Sequence, residues 1–144
     1  MKKILICTLA IIILVVVLKV ANVKRIILRK MYVKDYSEYV YEYATEYNVD
    51  PLLVFAVIKA ESNFKKDATS TSNAIGLMQL MENTAIETGE KVDEKINSKE
   101  ELYNPKINVK IGIKYLSELL ERYDGNLGIA LAAVSYTHLT LPTT

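Results

Sequence analysis

From Leu52 to Ala60 every residue but Lys59 is apolar, and the run ends on a carboxylate, Glu61. Asp50 and Pro51 stand immediately before it. Aspartate is a favoured N-cap, and proline suits the first helical position because the N–H it lacks would find no partner there anyway. The run is therefore predicted to be a helix. Its apolar side chains cover nearly the whole circumference, so it is expected to be the buried central helix of the body around it. That expectation constrains the rest of the chain: other elements must cover this helix on most sides, and something polar must receive its charged end. Residues 62–75 are small and polar, and they read as that loop.

The remaining periodicities are helical as well. Asp35 is placed to cap a helix in which Tyr36, Tyr39, Val40, Tyr43 and Tyr47 form one stripe at three- and four-residue steps. Such a stripe is read as core and helix–helix packing, with a sugar-stacking platform as the sharper alternative. Gly76-Leu77-Met78-Gln79-Leu80-Met81 is expected to open a helix that stops near Gly89. After a charged, weakly periodic segment over 90–103, Asn104-Pro105 restarts a long helix carrying Ile107, Ile111, Tyr115, Leu116, Leu119, Leu120 and Tyr123 at helical spacing. Asp124-Gly125-Asn126 ends it, and a short apolar helix follows from Leu127 to Ala133. No stretch alternates strongly enough to be a strand, and no internal repeat is visible. The fold class is all-α, mainly helical, with one domain over residues 35–133.

Ahead of that domain, Met1-Lys2-Lys3 leads into an apolar stretch from Ile4 to Leu18. Fifteen residues fall short of a full span, but Val20, Ala21 and Val23 extend the segment if Lys19 snorkels to the interface. The only small-x-small cleavage pattern is the poor Val20-Ala21-Asn22, so residues 1–23 are expected to be an uncleaved transmembrane anchor. Residues 24–34 read as a basic juxtamembrane stem, either lying against an anionic membrane or simply solvated. Residues 1–34 hold eight Lys/Arg and no acid, whereas 35–144 hold ten against seventeen Asp/Glu, a net of −7. An acidic body argues against nucleic acid as a partner. One Cys (Cys7), one His (His138) and no Trp leave too few soft ligands for a zinc site and no His-activated Ser or Cys nucleophile in the body. Neither a metal nor an organic cofactor is expected. Any chemistry must rest on carboxylates, hydroxyls and amides.

Glu61 is the carboxylate best placed for it. At the end of an apolar helix, facing a polar loop, partial burial penalises the ionised form and suits the group to donate a proton. The plainer reading is an ordinary helix-end Glu, although the helix dipole does not favour an acid there. The surrounding residues bear on the choice. Glu61-Ser62-Asn63-Phe64, then Ala68, Ser70, Ala74 and Gly76-Leu77-Met78-Gln79-Leu80-Met81, then Thr84-Ala85, closely resembles the signature of the soluble lytic transglycosylase (SLT) family. Asn104-Pro105, Asn108, Gly112 and Tyr115-Leu116 resemble a second block of that family. Asn126-Leu127 with Ala130-Leu131-Ala132-Ala133 resembles the start of its last block. Three blocks in register over residues 36–133 make a specific pattern.

That resemblance implies a lysozyme-like helical fold and cleavage of the β-1,4 bond between N-acetylmuramic acid and N-acetylglucosamine in peptidoglycan. Glu61 would be the catalytic acid and base, with Ser62, Met78 and Gln79 as substrate-binding residues. Ser62 also reads as a plain helix-end hydroxyl and Met78 as core. A hydrolytic muramidase would need water and, as a rule, a second carboxylate, and the motif loop offers only Asp67. A non-catalytic, membrane-tethered wall-binding module is the alternative from another class. The implied substrate puts the domain on the outer face of a single-pass membrane protein. The Lys/Arg excess after the apolar segment pulls the other way, toward a cytoplasmic helical scaffold.

The pattern breaks at three places. Asn73 stands where the family usually has Gly, and Glu82 where it usually has Pro. After Ala133 the family continues Tyr-Asn-Ala-Gly, but here Val134-Ser135-Tyr136-Thr137 follows. Val134 cannot donate the hydrogen bond that such a Tyr would give the acid. Residues 134–144 show neither helical nor domain-closing character and read as an atypical, artefact-like tail on a truncated frame.

Overall fold

The computed structural model describes residues 35–137, with side chains to residue 134, and Lys19 apart from these. The expected anchor over 1–23, the stem over 24–34 and most of the tail lie outside the described residues. Five α-helices follow one another: α1 (Ser37–Glu46), α2 (Pro51–Ser62), α3 (Glu82–Glu90), α4 (Pro105–Arg122) and α5 (Leu127–Thr137). A short 3₁₀ helix, Lys99–Tyr103, precedes α4. Extended pairing among the described residues is limited to two isolated bridges, Thr69 with Ile75 and Ile75 with Leu80. The mainly helical expectation therefore holds. No described helix is long and apolar enough to cross a membrane.

Two helix starts follow from local chemistry. The Asp50 side chain accepts the Leu52 N–H at 2.9 Å with Pro51 at the first helical position, and the Asn104 side chain accepts the Lys106 N–H at 3.0 Å ahead of Pro105. Asp50→Ala removes one such cap and should destabilise the domain by about 1 kcal/mol, read as a lower urea midpoint at unchanged slope. Asp35 does not do the same for α1. That helix starts from Tyr36 in the left-handed region (φ 65), with no side-chain cap.

The centre of the body belongs to α4 and not, as expected, to α2. Helix α4 packs against α1, α3, α5 and the 3₁₀ helix, while α2 packs on α1. Its buried residues (Asn108, Val109, Ile111, Gly112, Ile113, Leu116, Leu119) cover rather more than half of its circumference. Helix α2 buries Val54, Phe55, Val57, Ile58 and Ser62 but leaves Leu52 62% exposed, with Ala56, Lys59 and Ala60 also at the surface. A run of apolar residues marks a helix that could be buried all round; how much is covered depends on its neighbours.

Tyrosines of α1 and the residue after it, Tyr43 and Tyr47 from the predicted stripe and Tyr41 from outside it, make the ring contacts of this end of the body. Tyr41 meets Phe55 edge-on, ring centres 5.8 Å apart, and joins α1 to α2. Tyr43 and Tyr47 stack at 6.3 Å, with the Lys114 ammonium of α4 over the Tyr47 ring at 5.8 Å. Such ring contacts add to simple burial, and Tyr43 is itself buried. The charged segment after α3 is tied to α4 by Lys91–Glu118 (2.9 Å) and Lys110–Glu94 (3.0 Å), while Ile96 and Leu102 supply its apolar anchors.

Two expectations about helix ends are corrected. Residues 76–81 do not open a helix: Gly76 (φ 80) and Gln79 (φ 47) both lie in the left-handed region, so the chain makes a tight turn and α3 begins only at Glu82. Helix α5 does not stop at Ala133; it runs to Thr137, with Val134 buried against the body.

Candidate active site

Glu61 occupies the last turn of α2, partly buried. Behind it the chain reverses through two left-handed residues, Asn63 (φ 51) and Phe64 (φ 64), and Asn63 also receives the Lys59 ammonium on its side-chain oxygen. Ser62 is buried, and its hydroxyl donates to the Ile58 carbonyl one turn back at 3.1 Å. Its hydroxyl proton is thus directed into the helix, in keeping with the plainer reading of that residue.

The loop then folds onto itself. Ser70 Oγ accepts the N–H groups of Ser72 (3.2 Å) and Ala74 (3.0 Å), and the Ser70 N–H reaches the Ala74 carbonyl at 2.9 Å. This turn needs φ 64 at Asn73, a conformation asparagine tolerates far better than most residues. The family's usual Gly is therefore replaced by the next most suitable residue. Glu82 is likewise in place at the first position of α3, where proline fits and where an acid faces the positive end of the helix dipole.

Ile75 and Leu80 exchange both backbone hydrogen bonds at 2.9 Å and close a buried turn over residues 76–79. Gln79, 5% exposed, donates its amide hydrogens to the carbonyls of Gly76 (2.9 Å) and Ala68 (3.2 Å). Its amide nitrogen is therefore a strut inside the turn, and its amide oxygen remains the group suited to meet a donor. From outside, one residue of α4 fastens the whole turn. Asn108, fully buried, accepts the Met78 N–H at 2.8 Å and donates to the carbonyls of Ile75 and Leu102, both at 2.9 Å. Gly76 sits so close that a Cβ there would lie 2.6 Å from the Leu102 carbonyl oxygen and would overlap the Asn108 amide.

Against this turn lies a narrow groove with room for about one water, its walls from Val57 of α2, Met78 to Met81, Thr84 of α3, Gly112, Tyr115 and Leu116 of α4, and Val134 of α5. Met78 and Gln79, expected to line a sugar cleft, are both in its wall. Glu61 and Ser62 are not. Glu61 follows Val57 by four residues, however, so it projects from the same face of α2 one turn further on. Among the described groove-lining residues none carries a carboxylate, and Asp67, the other acid of the loop, pairs with Lys66 at 2.7 Å on the surface. Among the described residues no three His, Cys, Asp or Glu side chains gather as a metal site would require.

Thr84, Asn108, Gly112 and Tyr115 stand in the blocks that carry the resemblance, with no site role expected of them from sequence. The available signal was the spacing of Asn108, Gly112 and Leu116: a polar residue and a glycine at four-residue steps inside an otherwise apolar helix face.

The chain is similar in sequence and fold to known proteins. Residues 38–138 match the family model of the transglycosylase SLT domain. Over 96 residues the chain is 35% identical to membrane-bound lytic murein transglycosylase E of Buchnera aphidicola, a match covering 62% of this chain and 42% of that protein. Over 86 residues it is 36% identical to membrane-bound lytic murein transglycosylase C of Yersinia pestis, covering 58% and 24% respectively. The fold also superposes on an inactive Glu-to-Gln mutant of the lytic transglycosylase Slt from Pseudomonas aeruginosa. That match has a TM-score of 0.69 and 32% identity over 74% of this chain and 17% of the other. The chain spans less than half the length of each of these proteins.

Proposed function

The chain belongs to the transglycosylase SLT family, and from that premise we propose that it is a peptidoglycan lytic transglycosylase with Glu61 as its single acid and base. The observation that carries this reading is one partly buried carboxylate in the last turn of α2, leading into a polar loop whose other acid, Asp67, is paired with Lys66 at the surface. A glycan strand binds with the bond between N-acetylmuramic acid and N-acetylglucosamine at Glu61. The carboxylic acid protonates the glycosidic oxygen as the C1–O bond breaks. The resulting carboxylate takes the proton of the muramoyl C6 hydroxyl, whose oxygen bonds to C1 and closes a 1,6-anhydro ring. The proton count returns to its start and no water is consumed, so the second carboxylate of ordinary glycosidases is not needed.

Met78 and Gln79 border the bound sugar from the turn, and Ser62 supports Glu61 through the end of α2. Residues 1–23 tether the domain to the membrane, with the domain on the cell-wall side. The names of the relatives in Buchnera and Yersinia support a membrane association.

Product chemistry tests the reading. The full chain is incubated with purified peptidoglycan in heavy-oxygen water, and the released fragments are analysed by mass spectrometry. Anhydromuramoyl ends without label are the expected result. Labelled reducing ends would assign a hydrolase, and no release from a folded protein would leave a wall-binding module.

A further inference from the structure

Building on that reading, we propose that an open cleft at the start of α3 receives the peptide stem of the peptidoglycan strand, with Lys99 taking a stem carboxylate and Glu82 a stem ammonium. The cleft is walled by Ser72 and Asn73 of the loop after Glu61, by Met81, Glu82 and Asn83 at the start of α3, and by Lys99 of the 3₁₀ helix. It offers about 290 Å³ open to water, room for several atoms of a ligand, where the gap beside Met78 holds one water. Its walls are held in place by hydrogen bonds. Ser70 Oγ accepts the N–H groups of Ser72 and Ala74 on either side of Asn73, and Met81 directly follows the paired Ile75 and Leu80.

Glu82 and Lys99 are both exposed, and among the described residues neither enters an ion pair, whereas Lys66, Lys91, Lys110 and Lys114 all do. A cleft lined by one unpaired cation and one unpaired anion suits a ligand that carries both signs. The sugars of a bare glycan offer no such pair. The peptide stems of peptidoglycan do, with free carboxylates and the amine of a diamino acid. The stem also begins in a suitable place. It is attached to N-acetylmuramic acid, the sugar whose C1 reacts at Glu61, and the loop that leaves Glu61 forms the cleft wall at Ser72 and Asn73. Asn73 and Glu82 are two of the positions at which the chain departs from the family pattern, so the cleft gives this chain a preference of its own. The plainer role of Glu82, an acid at a helix start, predicts no such preference.

The test uses the full chain carrying Glu61→Gln, so that affinity is read without turnover. Soluble glycan fragments bearing stems are titrated beside the same fragments with their stems removed by an amidase. The stem-bearing fragments should bind more tightly. Lys99→Gln and Glu82→Gln should each reduce that preference about two- to fivefold, the size expected of an exposed charge pair, and the loss should shrink in high salt. Acetylating the stem amines should abolish the effect of Glu82→Gln but not that of Lys99→Gln. Lys95→Gln, the same charge change at an exposed site outside the cleft, should leave the preference as it was. Equal binding of both fragments, a preference that survives both cleft substitutions, or an equal loss in Lys95→Gln overturns the proposal. With Glu61 restored, stem-dependent binding of fragments that are never cleaved would uphold the stem site while removing the transglycosylase reading. Cleavage without any stem preference would do the reverse.

Discussion

Exchanging Glu61 for Gln should lower the release of anhydromuramoyl fragments by about two to four orders of magnitude, the range typical of a lost general acid–base group. The amide keeps the size of the carboxylic acid but can neither give a proton to the leaving oxygen nor accept one from the C6 hydroxyl. Both halves of the reaction stop together. Glu61 is partly exposed at the end of a helix whose dipole does not favour an acid there, so its neutralisation should leave the melting temperature within a few degrees of the parent. The measurement is the initial rate of soluble fragment release, with circular dichroism confirming the fold. A variant that retains a tenth or more of the parent rate would falsify the assignment of Glu61 as the single catalytic carboxylate. The inactive Pseudomonas aeruginosa Slt mutant carries the same kind of exchange, Glu to Gln, in a protein of the same fold.

Asn108→Leu should have the largest effect on stability. The substitution keeps the branched shape of a fully buried side chain but strands the Met78 N–H and the Leu102 carbonyl, and leaves the Ile75 carbonyl with the Leu80 N–H as its remaining donor. Leaving a buried polar group without a partner costs about 1–3 kcal/mol, so the two together should remove about 2–5 kcal/mol even with some relaxation. That is a large part of the total stability expected of a domain this small. Urea unfolding of the full chain should show the midpoint falling steeply, with activity lost alongside because the turn bearing Met78 and Gln79 is no longer fastened. Asn108→Asp keeps the acceptor for Met78, loses both donors and buries a charge, so it should rescue nothing at neutral pH. A loss below about 1 kcal/mol in Asn108→Leu would mean that the turn closes on its own hydrogen bonds and that Asn108 is not its fastening.

Both substitutions bear on how far the chain could be read before it was folded. Helix starts at Asp50-Pro51 and Asn104-Pro105, the long periodic run after Pro105 and the carboxylate at the end of α2 were all legible, because caps and periodicity are properties of neighbouring residues. The same local logic failed at Gly76–Met81, where a glycine before apolar residues looked like a helix opening. The deciding contacts there come from far along the chain: Asn108 reaches Met78 across 30 residues and Ile75 across 33.

Local interactions alone set a helical body, the starts of α2 and α4 and a carboxylate at the end of α2, since each follows from residues a few positions apart. The central place of α4, the fastened turn over residues 76–79 and the seat of Met78 against Gly112 come from packing between elements. Those features depend on which surfaces meet, and a hydrogen bond or a missing Cβ acquires its meaning only from the group brought opposite to it.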